Sequence, residues 1–399
     1  MLPRAGRGTL LALALWLVSG SGLLAETIGQ RLATDLTWSQ VQRDQRFPHM
    51  DRVFPVHRVS RGSVPVRSLL PASTLRLPAG VLSTYMQQQH LAGALVLEGD
   101  RIRLERYALG AGPATRWTGF SMTKSVTDTL VGVALQRGQI HSLDDRLSLY
   151  LPELRQSAYQ DVTVRQLMTM TSGVRWDEDY TNAASDVARL YSTPVPTGVD
   201  STIAYMRGLP RAVPAGTRWQ YNTGETDLLG VLLRRVTGDS LAKLLSDSLW
   251  SRAGMEHDAT WIATASNSSG KEFGGSGLSA TLRDWGRLGL WAMEGGHGAV
   301  APEWFPEATR AQASVGTTAY GYGWWPQGGA HLDGSFAALG IFGQSIFVDP
   351  ARHLVIVSVG DWPEPLSPAC SADRAAFWHQ VQNAIDQENM APSREAIFP

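Results

Sequence analysis

Cysteine is almost missing from this chain. The one thiol in 399 residues, Cys370, excludes an internal disulfide and reads as a packing residue near a C-terminal helix. Lysine is nearly as scarce, with three residues against 32 arginines. An excess of either charge is missing too: 35 basic and 36 acidic residues leave a net charge of −1 and no long basic run, which argues against a nucleic-acid partner. No apolar run reaches the roughly 20 residues that span a bilayer. Neither His-Glu-x-x-His nor a Cys/His cluster is present, and the nine histidines are scattered, so zinc chemistry has no support. A Gly-x-x-x-x-Gly-Lys phosphate loop is absent. Gly-x-Ser-x-Gly fails at its last position in Gly119-Phe120-Ser121-Met122-Thr123, which counts against an α/β-hydrolase elbow.

What remains is globular: 43% hydrophobic residues, 14 tryptophans and 40 glycines, enough for one large domain or two lobes around a substantial core. At the N-terminus, Arg4 and Arg7 precede the apolar run Thr9 to Val18 and a small-residue stretch ending at Ala25. This is the layout of a secretory signal over residues 1–25, and it predicts an exported chain, periplasmic or secreted, with no stable membrane insertion once the signal is removed. The competing reading is an uncleaved anchor. Residues 26–80 lack periodicity and read as a wrapping extension.

"GALVLEGDRIRLERYALG" gives two β-rich runs around Gly99-Asp100, a hairpin signal. From 121 to about 250 the pattern is helical, with Met122, Val126, Leu130 and Val133 at helical spacing and Gly138 as a stop. Thr163 is a plausible N-cap, and "TDLLGVLLRRVTG" and "DSLAKLLSDSLW" read as two further helices. Strand signals return after 315, in "AYGYGWW" and in "QSIFVDPARHLVIVSVG", and "SADRAAFWHQVQNAIDQ" closes with a helix. Strands at both ends with helices between them predict a sheet built from both termini and a helical lobe inserted in its middle. The groove between such lobes is a natural place for a small-molecule site.

All three lysines follow a serine by three residues: Ser121-x-x-Lys124, Ser240-x-x-Lys243 and Ser268-x-x-Lys271. Residues three apart share a helix face, so a serine on a first turn meets a lysine one turn later, beside unpaired N–H groups that can hold an oxyanion. As a base the lysine must be neutral, which requires a pKa depression of about 3 units from near 10.4. Arginine cannot do this. Ser240 reads as the N-cap of a short helix with Lys243 exposed, and Ser268 lies in a polar, glycine-rich loop that borders a site at most. Ser121 opens an amphipathic helix whose apolar stripe would bury one side of Lys124; the alternative is an N-cap with a solvent lysine. Tyr221, in a loop before a helix, is a suitable proton relay or else a core aromatic with a satisfied hydroxyl. Gly340 and Gly343 permit close backbone approach to a ligand, or mark a bulge. His331 and Asp333 also raise the possibility of a triad, with a polar turn as the preferred reading.

Taken in order with the Ser121-x-x-Lys124 pair, "HSLDDRLSLYLPEL", "VTVRQLMTMTSGVRWDEDY", "PAGTRWQYNTGETDLLG" and "FAALGIFGQSIFVDP" resemble the serine β-lactamase and penicillin-binding-protein superfamily. The match is best to its class C-like branch, which includes esterases and 6-aminohexanoate-dimer hydrolases, and runs from about residue 45 to 385. The resemblance implies an α/β (α+β) fold, an antiparallel β-sheet flanked by helices plus an inserted mainly helical lobe, with no metal or organic cofactor. It places the hydrolase domain at 81–390, with the sheet lobe at about 81–118 and 275–390 and the helical lobe at about 119–274.

By motif, the resemblance implies Ser121 as acylated nucleophile, Lys124 as general base and Tyr221 as proton relay, with the Ser121 and Ile341 N–H groups as oxyanion hole. Tyr180 would close over the substrate, and Gly340, Asn222 and Trp325 are further candidate substrate-binding residues. Trp324 and Trp176 line an acyl pocket or belong to the core. Two departures stand out. The Tyr-x-Asn triplet reads Tyr221-Asn222-Thr223, which removes an amide near the lysine unless Asn222 compensates. Ala338-Leu339-Gly340 replaces Lys-Thr-Gly, which removes the cation that grips a β-lactam carboxylate. The expected activity is therefore hydrolysis of small esters or amides through an acyl-enzyme. The alternatives are a D-alanyl carboxypeptidase or class C-like β-lactamase, and a non-catalytic binding module.

Overall fold

The computed structural model describes residues 35–193, 198–316, 318–327 and 334–390. The proposed signal segment, His331 and Asp333 lie outside the described residues.

The main sheet has seven strands, and the hairpin read at Gly99-Asp100 supplies two of them, β3 (Leu91–Glu98) and β4 (Arg101–Tyr107). The others come from the C-terminal part, β10 (Trp325–Pro326), β11 (Phe336–Leu339), β12 (Ser345–Asp349) and β13 (Leu354–Gly360), and from the short edge strand β2 (Leu70–Pro71). Their order is β10-β11-β12-β13-β3-β4-β2, antiparallel throughout except for the β2–β4 pair. Successive strand side chains point to opposite faces, and here both faces are buried. Leu95, Leu97, Val355 and Val357 join one core cluster, while Ala94, Val96, Leu354 and Ile356 join another. That is why these strands read as continuous apolar runs rather than as alternation.

Helix α3 (Leu282–Met293) covers the first face against β3, β12 and β13. Helix α4 (Pro368–Met390) covers the second with Val81–Gln88, where Tyr85 stacks on Phe377 and Phe347 on Trp378. Cys370 lies in α4, only partly exposed.

A second sheet of four strands runs β1 (Val56–Val59), β6 (Ala259–Ile262), β7 (Leu278–Thr281), β5 (Arg116–Thr118). The extension before residue 80 thus contributes β1, paired antiparallel with β6. Between β5 and β6 lie the helices of the middle segment, including α1 (Met122–Gln136) and α2 (Thr223–Thr237). Capping matches the chemistry of the residues: Thr163 forms a capping box with Gln166, and α2 ends at Gly238 in the left-handed conformation. "AYGYGWW" is not one strand. Two strands, β8 (Ala313–Val315) and β9 (Thr318–Tyr320), pair with each other, and a turn with Gly323 at φ +70° separates β9 from β10.

Candidate active site

Strand β5 leads straight into the site. Gly119 N–H continues its pairing with β7 by donating to the Leu278 carbonyl at 2.8 Å, and Phe120 then turns the chain at φ +43° into α1. Ser121 occupies the N-cap position of α1, yet its hydroxyl caps no backbone N–H. It is only partly buried and borders a narrow pocket of about 50 Å³ with Lys124, Tyr180, Tyr191, Thr223, Ser276 and Ile341.

Lys124 Nζ lies 2.9 Å from Ser121 Oγ and donates to the Gly275 carbonyl at 2.8 Å. The lysine is 1% exposed. Burial pulls its pKa down to about 8, and the negative charges of Glu178, Asp227 and Asp128 act in the opposite direction. The shift from 10.5 to about 8 corresponds to about 3 kcal/mol against the charged amine. Asp227 accepts from Gly275 N–H at 2.7 Å and from the Tyr191 hydroxyl at 2.9 Å, so the loop carrying the carbonyl partner of Lys124 is itself fixed.

The Tyr221 ring centroid stands 5.1 Å from Lys124 Nζ. Burial, then the charge of Glu178, pushes the Tyr221 phenol well above its usual pKa, against a lowering hydrogen bond with Ser121. Amine and phenol are therefore driven apart: at neutral to mildly alkaline pH the amine is the group able to accept a proton, and the phenol retains one to donate. Neutral amine becomes the major form above about pH 8. Acylation is therefore expected to rise about tenfold per pH unit below that value and to level off above it, and single-turnover rates with an activated ester across pH 6–10 measure this.

The other serine–lysine pairs separate clearly. Ser240 Oγ caps its helix by accepting from Lys243 N–H at 3.1 Å, and the Lys243 ammonium pairs with Asp247 in solvent. Lys271 pairs with Asp200 at 3.1 Å. Ser240, Ser268 and Lys271 line a wider concavity of about 750 Å³, which none of Ser121, Lys124 or Tyr221 reaches. Size does not select the site. The glycine-rich loop that holds Ser268 does border it, but at its other end, through Gly275 and Ser276.

No carbonyl among the described residues accepts from the Ser121 or Ile341 N–H, and both residues line the pocket. Tyr180 lines it too, its hydroxyl donating to Glu178 at 2.8 Å. Three expected contacts need correction. Asn222 is 1% exposed and caps α2; its side-chain oxygen accepts from Glu225 N–H and its amide donates to the Glu225 carboxylate at 3.2 Å, so it does not replace the missing amide. Gly340 approaches protein, not ligand space: a Cβ there would lie 2.4 Å from the Gly119 carbonyl oxygen, and one on Gly343 would meet Trp362. Trp325 stacks on the Tyr221 ring at 6.1 Å and is not a wall of the narrow pocket, while Trp324 and Trp176 are core.

Residues that sequence reasoning missed come from distant segments. Glu178 accepts from Thr223 N–H at 2.9 Å, from the Thr223 hydroxyl, from the Trp176 indole and from Tyr180, which ties the pocket rim together. Its place two residues before Tyr180 in "WDEDY" was the available signal. Asp35 and Leu36 of the N-terminal extension also line the pocket, and burial raises the Asp35 carboxyl to a pKa of about 8. Among the described residues, Asp44, His90 and Asp361 are close enough to share a metal ion, but His90 bonds Asp44 at 3.0 Å and Asp361 is ion-paired with Arg43.

Comparisons with known proteins show the family and the fold. The Beta-lactamase family model matches residues 79–377. The 6-aminohexanoate-dimer hydrolase of Paenarthrobacter ureafaciens is 28% identical over 88% of this chain and 91% of its own. A Bacillus anthracis protein provisionally named a 6-aminohexanoate-dimer hydrolase superposes with a TM-score of 0.72 at 22% identity, over 87% of this chain and 95% of its own. A class C beta-lactamase gives a TM-score of 0.57 at 18% identity, over 76% and 94%. With both the sheet-and-helix architecture and the family model spanning most of its length, the chain belongs to the beta-lactamase family of hydrolase folds, related to the 6-aminohexanoate-dimer hydrolases and the class C beta-lactamases.

Proposed function

We propose that this protein is a serine hydrolase that cleaves small esters or amides through an acyl-enzyme on Ser121. The observation that carries the reading is the buried Lys124 amine, 2.9 Å from Ser121 Oγ with its pKa lowered to about 8. In the proposed cycle Lys124 takes the proton as Ser121 Oγ attacks the carbonyl carbon. The oxyanion is held by the N–H groups of Ser121 and Ile341. Tyr221 passes a proton to the departing alcohol or amine, and water then enters by the same relay to release the acid.

The choice of ester or linear amide over β-lactam rests on the strand beside the site. Ala338 is fully buried and Leu339 partly so, and neither offers a cation to a substrate carboxylate. The two relatives named for 6-aminohexanoate-dimer hydrolysis point the same way. The expected result is that turnover of p-nitrophenyl acetate or butyrate far exceeds that of nitrocefin. Intact-protein mass spectrometry after mixing with esters, linear amides and β-lactams should show an acyl adduct on Ser121 from the first two. Faster nitrocefin turnover would instead favour the β-lactamase reading, and no adduct with any of the three would leave a binding module. Export of the protein to the periplasm or medium belongs to the same proposal, on the strength of Arg4, Arg7 and the apolar run that follows.

A further inference from the structure

We infer that Phe47, from the N-terminal extension, is the positioning residue that sets the two oxyanion-binding N–H groups in register. The inference rests on the acyl-enzyme reading above. Each of those N–H groups adjoins a phenylalanine forced into the left-handed region: Phe120, before Ser121, at φ +43°, and Phe342, after Ile341, at φ +58°. Bulky residues avoid this region, and such strain persists only where the surroundings over-determine it.

Here the surroundings are three rings. Phe120 and Phe342 lie 5.6 Å apart, and Phe47 packs against both, edge-on to Phe120 at 4.9 Å and tilted against Phe342 at 5.5 Å. Phe47 also meets Trp117 of β5 edge-on at 6.1 Å, and it is fully buried. The residues just before the two turns also approach closely, since a Cβ on Gly340 would lie 2.4 Å from the Gly119 carbonyl oxygen. Phe47 is the one side chain described in ring contact with both turn phenylalanines, so it fixes their separation, and with it the gap between the Ser121 and Ile341 N–H groups.

Phe47 itself is held from outside the catalytic domain's motifs. It follows directly on the helix Gln40–Arg46, which is anchored by the buried Arg43–Asp361 ion pair and by Arg43 donating to the Trp38 carbonyl at 2.7 Å and the Trp362 carbonyl at 3.1 Å. The Arg43 guanidinium also lies 4.5 Å from the Phe342 ring centroid. His90 to Asp44, at 3.0 Å, is a second tie. The extension is thus a structural part of the oxyanion site and not merely a wrapping around it.

An oxyanion hole acts on the transition state and not on ground-state binding, which separates positioning from simple stability. The test uses the full-length wild-type protein, Phe47→Ala, Phe47→Leu and Phe54→Ala. The last opens the same aromatic cluster at a ring stacked on Trp38, away from the two turns. Readouts are kcat and KM for p-nitrophenyl butyrate, inhibition by an alkyl trifluoromethyl ketone, which forms an oxyanion adduct, and melting temperature.

Phe47→Ala should lower kcat at least tenfold with KM changed less than threefold, and weaken the ketone by a similar factor. Phe54→Ala should lose melting temperature while keeping wild-type kcat and ketone affinity. If Phe47→Ala does not fold, Phe47→Leu should show the same pattern severalfold more weakly. Wild-type kcat and ketone affinity in folded Phe47→Ala or Phe47→Leu would overturn the inference, as would an equal kcat loss in Phe54→Ala. A wild-type protein that forms no ketone adduct on Ser121 would instead remove the acyl-enzyme reading itself.

Discussion

Ser121→Ala is expected to lose at least about 1,000-fold in ester turnover, because it removes the hydroxyl that lies 2.9 Å from the Lys124 amine. The contrast with the other two serine–lysine pairs makes the experiment informative. Ser240 is committed to its helix, with Oγ accepting from Lys243 N–H at 3.1 Å, and Lys243 and Lys271 are both ion-paired to aspartates. Ser240→Ala should therefore keep full activity while losing about 1 kcal/mol of stability, the usual cost of deleting an N-cap. Ser268→Ala should keep activity too. A fluorophosphonate probe followed by peptide mass spectrometry should modify Ser121 in the wild type and nothing in Ser121→Ala. Labelling at another serine would overturn the assignment.

Lys124→Arg is the second large effect, with an expected loss of at least about 100-fold in acylation. An arginine at this position stays protonated at any working pH, so it can neither accept the Ser121 proton nor shed its charge where the native lysine is 1% exposed. The alkaline rise in rate centred near pH 8, which follows from the depressed Lys124 pKa, should vanish in the same variant. Near-native acylation with the pH profile intact would take Lys124 out of the mechanism and leave the Tyr221 phenol as the candidate base. The phenol is a poor one: its pKa is raised well above the usual value by burial and by Glu178, so it holds its proton where the amine has released its own.

Much of this site was legible in one dimension because its central pair is local. Ser121 and Lys124 are one helical turn apart, so spacing alone puts them on one face, and a chain with three lysines leaves few pairs to choose among. The sheet was legible for a similar reason. The strands at 91–98, 345–349 and 354–360 are short and mostly apolar, that at 101–107 alternates charged and apolar residues, and turn residues join them as two hairpins. What could not be read was any property that depends on where distant segments meet. Asn222 looks like a substitute amide until α2 is seen to need a cap, and Gly340 looks like ligand space until the Gly119 carbonyl is found against it. Trp325 bears on the site by stacking on Tyr221, a contact between residues about a hundred positions apart.

By itself, then, the sequence determined most of the elements, the Ser121–Lys124 spacing and the family, all of which depend on local periodicity or on ordered motifs. Only the tertiary structure decided the burial of Lys124, the grip of Glu178 on the pocket rim, the place of Asp35 and Leu36 on the Ser121 pocket, and the packing of Phe47 on Phe120. The physical reason is common to them. The burial that lowers the Lys124 pKa, the donors that gather on Glu178 and the rings packed on the left-handed turns at Phe120 and Phe342 are all supplied by side chains that the linear order keeps apart and that only the packed core brings together.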